Sequence, residues 1–244
     1  MKPSRRRLDV LLVEKKLAQS RQRALALILA GEVWVDGKRI TKAGTLVPVD
    51  AAIQLRGGDI PYVSRGGVKL EAALRAFRID VTGLTCLDVG ASTGGFTDCL
   101  LKHGARHVTA VDVGYGQLHW KLRSDPRVKV IERTNIRHLD AGALPFPLDL
   151  ACIDVSFISL KIVVPAVLKF VKRPGHIICL IKPQFEVGKG LVGKGGVVRD
   201  PALHEAVIQD LGRVFQGLDL HVVGVIPSPI LGPKGNQEFL MYLQ

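Results

Sequence analysis

Apolar runs alternate with amphipathic segments over most of the chain, from about residue 63 onward. Apolar residues that recur every three or four positions predict helices at 67–77, 97–103, 160–171 and 201–215. Continuous or alternating apolar runs predict strands at 85–89, 108–113, 128–131, 148–154, 176–182, 220–227 and 239–243. Strands that alternate with helices in this way form mostly parallel sheets covered by helices, so the pattern predicts an α/β fold.

The first 58 residues carry a different pattern. Leucines at helical spacing predict a first helix from about Leu8, and Ser20 is suited to cap a second helix at 21–30. The Asp36-Gly37 pair, flanked by alternating apolar residues, predicts a β-hairpin, and a short strand at 53–55 follows. The order of these elements predicts a small α+β domain ahead of the α/β domain.

A stretch containing glycine and proline separates the two patterns. We place the small domain at 1–58, a linker at 59–64 and the larger domain at 65–244. The chain has 244 residues, of which 47% are hydrophobic, so it can supply a core for each domain.

Charge and cysteine usage narrow the class of protein. The chain has 34 Lys and Arg against 22 Asp and Glu, a net charge of +12, which favours a nucleic-acid partner. No apolar run approaches the ~20 residues of a membrane helix, and the basic amino terminus lacks the apolar core of a signal peptide. The four cysteines form no C-x-x-C pair and the histidines are scattered, so we expect a cytoplasmic protein without a metal site or membrane partner.

A glycine-rich turn stands between the predicted strand at 85–89 and the helix that follows it. Its sequence is Asp88-Val89-Gly90-Ala91-Ser92-Thr93-Gly94-Gly95-Phe96. A strand, a glycine turn and a helix start together form a cradle for nucleotide-like ligands, although an ordinary strand-to-helix turn looks similar. The spacing lacks the middle glycine of a dinucleotide fingerprint. It resembles instead the S-adenosylmethionine loop of Rossmann-type methyltransferases.

Polar residues recur where predicted strands end. Asp88, Asp112, Asp154 and Lys182 all fall at or just past such ends, which meet at one edge of a parallel sheet and bind ligands there. Asp112 lies 24 residues after Asp88, a spacing that suits a carboxylate bound to ribose hydroxyls. The pair Asn135-Ile136, after the third strand, either lines an adenine pocket or forms a plain turn.

Longer strings carry a family resemblance. The run 90–96, the string Lys182-Pro183-Gln184-Phe185-Glu186-Val187-Gly188-Lys189-Gly190, and the stretches 63–70, 153–157 and 235–239 resemble the TlyA, or hemolysin-A-like, family of bacterial ribosomal RNA ribose methyltransferases. The resemblance implies S-adenosylmethionine as cofactor and a Rossmann-like methyltransferase domain. It also implies a Lys-Asp-Lys-Glu tetrad for ribose 2′-O-methylation. Its members by motif match are Lys69, Asp154, Lys182 and Glu238. The cofactor-binding candidates are Asp88, Gly90, Ala91, Ser92, Thr93, Gly94, Gly95, Phe96, Asp112, Asn135 and Ile136.

The tetrad suits the chemistry that the resemblance implies. A ribose hydroxyl is a poor nucleophile that must lose its proton as it attacks a methyl group. A lysine accepts that proton only if its pKa falls from ~10.4 toward neutrality, which burial and a nearby cation favour. We expect Lys182 to be the base, or at least to orient the hydroxyl, with Lys69 as the neighbouring cation. Asp154 and Glu238 would hold the ammonium groups.

The small domain resembles the RNA-binding domain named after ribosomal protein S4. The resemblance rests on Ser20-Arg21-x-Arg23-Ala24 and on Gly31-x-Val33-x-Val35-Asp36-Gly37. It implies a basic helix pair that follows the RNA backbone, although each charge by itself could simply solvate a helix face. The RNA-binding candidates are Arg5, Arg6, Arg21, Arg23 and Lys38, with Arg65 and Lys189 in the larger domain.

The expected partner is ribosomal RNA within ribosomal subunits, and the expected target is a cytidine ribose. The family resemblance implies that members with an extra tail after the last strand modify both ribosomal subunits. Because this sequence stops just after that strand, it resembles the shorter members, and we expect the large subunit as substrate, with the small subunit as an alternative, and a monomeric enzyme. Three rival functions are a catalytically dead RNA-binding or ribosome-assembly factor, a membrane-lytic haemolysin and a pseudouridine synthase. The methyltransferase-like loop and the lack of an apolar span argue against the last two.

Overall fold

The protein was analysed as a computed structural model that describes residues 4–18, 20–29, 31–55, 60–144 and 147–244. Contacts between residues divide the chain into two compact units, Met1–Asp59 and Ile60–Gln244. Each unit has its own hydrophobic core.

The first unit combines two helices with two small antiparallel sheets. In chain order the elements are β1 (Arg5–Arg7), α1 (Leu8–Glu14), α2 (Arg21–Leu29), β2 (Val33–Val35), β3 (Lys38–Arg39), β4 (Leu46–Pro48) and β5 (Ile53–Leu55). One sheet pairs β1 with β4, and the other has the order β3-β2-β5. The core is built around Leu8, Leu12, Ile28 and Val33, which are fully buried. The predicted α+β class and the hairpin at Asp36-Gly37 are confirmed.

Two strands of this unit, β1 and its partner β4, were not predicted. Residues Arg5–Arg7 form a strand, although three consecutive arginines carry no strand pattern. The strand exists because Arg6 pairs with Val47 across the sheet, a contact between distant parts of the chain. The expectation that Arg5 and Arg6 belong to a basic helix pair is therefore wrong. Lys38 also lies on a strand, so of the five candidates in this unit only Arg21 and Arg23 are helical.

The second unit is an α/β fold, as predicted. Its helices are α3 (Gly66–Ala76), α4 (Gly95–Lys102), α5 (Trp120–Arg123), α6 (Leu160–Leu168), α7 (Pro183–Glu186) and α8 (Pro201–Gln216). Its strands are β6 (Thr85–Val89), β7 (His107–Val111), β8 (Val128–Ile131), β9 (Leu148–Ile153), β10 (Val171–Ile181), β11 (Val222–Pro227) and β12 (Phe239–Leu243). They form one sheet in the order β11-β12-β10-β9-β6-β7-β8.

The pairing is parallel from β8 to β10, and β12 runs antiparallel to both of its neighbours, β10 and β11. Alternate strand residues face opposite sides of the sheet. Cys152 packs on the side that holds α3 and α4, whereas Ile153 packs on the side that holds α6 and α8. Helices thus cover both faces, and the carboxyl ends of five parallel strands meet at one edge.

The predicted boundaries of α6 and β10 were displaced. The helix ends at Leu168 and the strand begins at Val171, five residues before the predicted start. Val171 pairs with Leu148, and the pairing register shifts between Val171 and His176. The strand therefore continues through a polar stretch in which its pairing with β9 is irregular.

Candidate active site

The glycine turn leaves β6 at Val89 and enters α4 at Gly95. Gly90 and Gly94 both adopt positive φ angles, 84° and 96°, which favour glycine. A Cβ atom on Gly90 would lie 2.2 Å from the backbone oxygen of Asp154, and one on Gly95 would lie 2.3 Å from the Ser64 hydroxyl. The glycines are therefore required by close packing of the chain around the turn as well as by its backbone conformation.

Asp88 is the fourth residue of β6, just before the turn, and is completely buried. Its Oδ2 atom accepts hydrogen bonds from the backbone N–H of Thr97 at 2.9 Å and from the Thr97 hydroxyl at 2.6 Å. Its Oδ1 atom has no hydrogen-bond partner among the described residues. Burial raises the pKa of Asp88 to about 7, and the charges of Asp154 and Asp112 push it in the same direction.

A cavity of about 270 Å³ opens over the turn. The residues that line it come from the turn, from the start of α3 and from the ends of β9, β10 and the loop before β12. They are Ser64, Arg65, Gly66, Lys69, Asp88, Gly90, Ala91, Ser92, Thr93, Gly95, Phe96, Asp154, Lys182, Gly232 and Glu238. All four predicted tetrad residues thus share one cavity with most of the glycine turn.

The first lysine–carboxylate pair joins α3 to the loop before β12. Lys69 Nζ donates to Glu238 Oε2 at 2.5 Å, and both side chains are buried. The other carboxylate oxygen of Glu238 has no hydrogen-bond partner in the described chain. Gly232 lies directly against this carboxylate, since a Cβ there would be 2.0 Å from Oε1. Glu238 is therefore a fully buried carboxylate and not a surface one.

The second pair joins the ends of β9 and β10. Lys182 Nζ lies 2.6 Å from Asp154 Oδ1 and donates to the Ser156 hydroxyl oxygen at 3.0 Å. The lysine side chain is 10% exposed and the aspartate 22%, so this pair is more open than the first. Ser156 was not predicted as a site residue, although it stands two positions after Asp154 in the same string.

Some cofactor candidates lie around the cavity rather than in its wall. Asp112 accepts the backbone N–H of Ser92 through Oδ2 and that of Gly114 through Oδ1, both at 2.7 Å. The side chain of Asn135 accepts the N–H of Arg137 and caps a 3-10 helix, Ile136–His138. Ile136 is 5% exposed and belongs to a hydrophobic core. The structure therefore gives Asn135 and Ile136 the local roles of a cap and a core residue.

The RNA candidates have varied surroundings. Arg5 and Lys38 are exposed, Arg6 is paired with Glu14 at 3.0 Å, and the backbone N–H of Arg23 is capped by Ser20. Arg21 Nη2 instead donates to the buried carboxylate of Asp9 at 2.9 Å. In the second unit Arg65 lines the cavity. Lys189 begins a 3-10 helix, Lys189–Leu191, and its side chain lies outside the described part of the structure.

The cavity suits a cofactor of the predicted kind. Asp88 Oδ1 is a buried acceptor without a partner among the described residues, and Asp88 is one of the residues that line the cavity. An adenosine-type cofactor with a sulfonium group carries the donors and the positive charge that such an acceptor requires. Among the described residues no cluster of His, Cys, Asp or Glu could hold a metal ion.

Known proteins share both units. Residues 62–244 match the FtsJ-like methyltransferase family, and residues 6–53 match the S4 domain. The 16S/23S rRNA (cytidine-2'-O)-methyltransferase TlyA of Mycobacterium tuberculosis is 51% identical over 98% of this chain and 90% of its own length. The chain belongs to the TlyA family of FtsJ-like methyltransferases. The predicted family resemblance and both domain types are confirmed.

Other TlyA-family relatives support this assignment. The 23S rRNA (cytidine-2'-O)-methyltransferase TlyA of Campylobacter jejuni is 34% identical over 94% of this chain and 96% of its own length. A solved structure of a protein from Streptococcus thermophilus, described with the word hemolysin, is 41% identical in sequence to this chain. The two structures match with a TM-score of 0.79, over 98% of this chain and 88% of that one. Among the described residues no helix is long and apolar enough to cross a membrane.

Proposed function

We propose that this TlyA-family protein transfers a methyl group from S-adenosylmethionine to the 2′-hydroxyl of a cytidine ribose in ribosomal RNA. The observation that carries the proposal is the meeting of Lys69, Asp154, Lys182 and Glu238 in one cavity with the glycine turn. The names of the M. tuberculosis and C. jejuni relatives supply the expected substrate.

The turn residues would hold the cofactor. The predicted set in the cavity wall is Asp88, Gly90, Ala91, Ser92, Thr93, Gly95 and Phe96, with Gly94 setting the turn behind them. Asp112 lies beside Ser92, where each of its oxygens keeps a lone pair for a ribose hydroxyl. S-adenosylmethionine supplies an electrophilic methyl group when bound, and the protein residues supply positioning and proton handling.

Lys182 is the residue placed to handle the proton. Two of its three N–H donors face Asp154 and Ser156, which leaves the third for the oxygen of the ribose hydroxyl. As an ammonium group it orients that oxygen. It can accept the hydroxyl proton only after giving one up, and Asp154 at 2.6 Å is placed to hold the proton it releases.

The Lys69–Glu238 pair would keep a second cation beside the reacting oxygen. The buried carboxylate fixes the ammonium group, since Gly232 packs against it and limits its movement. Positioning of the hydroxyl against the methyl donor is the larger expected contribution to rate, because well-oriented groups avoid the entropic cost of meeting.

The experiment that tests the proposal is methyl transfer from isotope-labelled S-adenosylmethionine to purified bacterial small and large ribosomal subunits, followed by mapping of the labelled sugar. We expect label on the 2′-oxygen of cytidine. Testing both subunits decides between the two specificities that the relatives' names describe. Cofactor binding without transfer to either subunit would contradict the proposal and favour the catalytically dead assembly factor.

A further inference from the structure

Two segments leave the sheet side by side at the candidate active site. β9 and β10 are parallel neighbours, and the chain continues beyond their ends at Asp154 and Lys182. The contacts of Lys182 with Asp154 and Ser156 join the two segments next to the sheet. Further out, the rings of Phe157 and Phe185 lie with their centroids 4.9 Å apart. The loop after β9 therefore stays close to the segment after β10 for several residues.

Glu186 joins the two segments at their far end. It is the last residue of α7, and its Oε2 atom accepts the hydroxyl of Ser159 at 2.6 Å. Its Oε1 atom accepts the backbone N–H of Leu160 at 2.8 Å. These two residues form the start of α6, where backbone N–H groups lack partners within the helix. Glu186 thus caps α6 from a position 26 residues further along the chain.

The loop 154–159 needs contacts at both ends to keep its shape. Phe157, near its centre, has a φ angle of 64°, in the left-handed region that a bulky residue rarely adopts. Its side chain is 90% exposed, so burial does not hold it there. An unfavourable backbone conformation of this kind persists only where the surrounding contacts fix it. Lys182 supplies such contacts on one side of Phe157, and Glu186 supplies them on the other.

Both sets of contacts come from one short turn of helix. Lys182 immediately precedes α7 and Glu186 ends it. Pro183 restricts the backbone of this turn, and the N–H of Phe185 donates to the carbonyl oxygen of Lys182 at 2.9 Å. Glu186 is not among the described residues that line the cavity. Its influence on the site therefore passes through Lys182 and the loop that Lys182 contacts.

We propose that Glu186 is a positioning residue for methyl transfer. By holding the start of α6, it sets Asp154 and Ser156 against Lys182, and the remaining N–H of the lysine then points to the ribose hydroxyl. The inference rests on the proposed function, because it assumes that Lys182 acts on that hydroxyl.

A purely structural role for Glu186 gives a different expectation. If the carboxylate only caps α6, Glu186→Ala lowers the melting temperature, but the folded variant transfers methyl groups at the wild-type rate. If Glu186 positions the loop, the folded variant binds the cofactor and ribosomal subunits normally and transfers slowly. The loss then appears in kcat and not in KM, because the binding contacts remain while the orientation of the reacting groups is lost.

The test measures single-turnover methyl transfer from isotope-labelled S-adenosylmethionine to purified ribosomal subunits by full-length wild type, Glu186→Ala and Asp200→Ala. Asp200→Ala is the matched control. Asp200 also caps a helix, since it accepts the N–H of Ala202 at the start of α8 at 2.9 Å, but it is exposed and lies outside the cavity wall. Both variants should melt a few degrees below the wild type. Glu186→Ala should transfer roughly 10–100-fold more slowly, and Asp200→Ala should stay within about twofold of the wild type.

A second measurement locates the effect. Glu186→Ala is combined with Lys182→Ala, and the rate of the double variant is compared with that of Lys182→Ala alone. If Glu186 acts through Lys182, the further loss should be less than about twofold. A further loss as large as that in the wild-type background would show that Glu186 acts elsewhere, and would overturn the inference.

Circular dichroism at the assay temperature establishes that the variants are folded. If Glu186→Ala does not fold, Glu186→Asp decides the matter, because it keeps the carboxylate but shortens the side chain by a methylene group. It should transfer several-fold more slowly, since the carboxylate reaches Ser159 and Leu160 only if a helix moves. A wild-type rate in the deciding variant would overturn the inference and leave the proposed function intact. Absence of transfer by the wild type would overturn both.

Discussion

Two buried aspartates, one in each unit, have opposite electrostatic surroundings. Asp9 and Asp88 are 5% and 0% exposed. Hydrogen bonds from Arg7 hold the pKa of Asp9 well below its usual range, whereas burial raises the pKa of Asp88 to about 7. Burial favours the neutral acid in both places, but only Asp9 has cations close enough to outweigh it.

Asp9 is a carboxylate that is already paired with cations, whereas Asp88 is not. Asp9 uses both oxygens within its unit, and the arginines that pair with it present positive charge to the outside. Asp88 receives only the two hydrogen bonds of Thr97, and its Oδ1 has no partner among the described residues. The first unit therefore presents its paired cations to solvent, whereas the second unit directs cations and carboxylates into a cavity.

Among the expected effects, the largest is that of removing a lysine from the cavity on the rate of methyl transfer. Lys182→Ala removes the group that meets both Asp154 and Ser156, so we expect the rate of methyl transfer to fall roughly 10³-fold, while binding of S-adenosylmethionine changes little. Single-turnover transfer to ribosomal subunits and isothermal titration with the cofactor measure the two quantities.

Lys161→Ala is the matched control, because Lys161 also pairs with an aspartate, Asp210, but outside the cavity. Its activity should stay within about twofold of the wild type, as expected for a surface substitution. Full activity of Lys182→Ala would rule out the proposed role of this lysine.

The next largest effect is on the pH dependence of stability, to which Asp88 and Asp9 should contribute with opposite sign. Between about pH 4 and pH 7 the folded protein keeps a proton on Asp88 that the unfolded chain has released, so stability falls as the pH rises. The decrease amounts to at most about 4 kcal/mol for this group. Asp9 has the opposite sign, and its stabilisation is lost only as the pH falls below the ordinary aspartate pKa of about 3.9.

Urea unfolding of the cofactor-free protein across this range checks the prediction. The asparagine of Asp88→Asn has a similar shape but does not titrate. The difference in the free energy of unfolding between wild type and variant should therefore change steadily from pH 4 to pH 7. A difference that stays constant with pH would show that Asp88 does not hold a proton in the folded state.

Removing the arginines should turn Asp9 into an unpaired acid like Asp88. The double substitution Arg7→Ala/Arg21→Ala leaves a buried carboxylate without its charged partners, which should cost about 2–3 kcal/mol in the free energy of unfolding. Arg5→Ala, at an exposed position of the same strand, should change it by less than about 0.5 kcal/mol. Equal stability of the two variants would contradict the pairing.

The smallest expected effect concerns the hydroxyl beside Asp88. Thr97→Val keeps the shape but removes the donor at 2.6 Å, which should cost about 1 kcal/mol and raise the pKa of Asp88 further. Thr97→Ser, which keeps the hydroxyl, is the control. Chemical unfolding at pH 8, where Asp88 is mainly ionised, gives the largest difference between the two variants.

Much of the sheet followed from local pattern. The strands Thr85–Val89, Val128–Ile131 and Phe239–Leu243 were predicted to the residue. Largely apolar runs mark the buried strands Thr85–Val89 and Phe239–Leu243, and an apolar alternation marks the half-buried edge strand Val128–Ile131. Strand β1 and the start of β10 were missed, since Arg5–Arg7 and the polar stretch after Val171 become strands only through partners far away in the chain.

The site, like the sheet, could be predicted from the sequence only in part. The identities of the four tetrad residues came from the family resemblance, and the shared edge of Asp154 and Lys182 came from the rule that parallel strands end together. Their pairing could not be predicted, because Lys69 and Glu238 stand 169 residues apart. Two further contacts were also missed, that of Gly232 with Glu238 and that of Arg21 with Asp9. Both depend on side-chain geometry that sequence spacing does not encode.

Strand β12 inserts between β10 and β11, and Glu238 immediately precedes it. A ribosome synthesises β12 after every one of its partners in the sheet. An emerging polypeptide can therefore align β6 to β10 and form the glycine turn while still lacking the carboxylate that fixes Lys69. The partner of Lys69 is thus the last of the four tetrad residues to be synthesised, and it arrives with the strand that fills the position between β10 and β11.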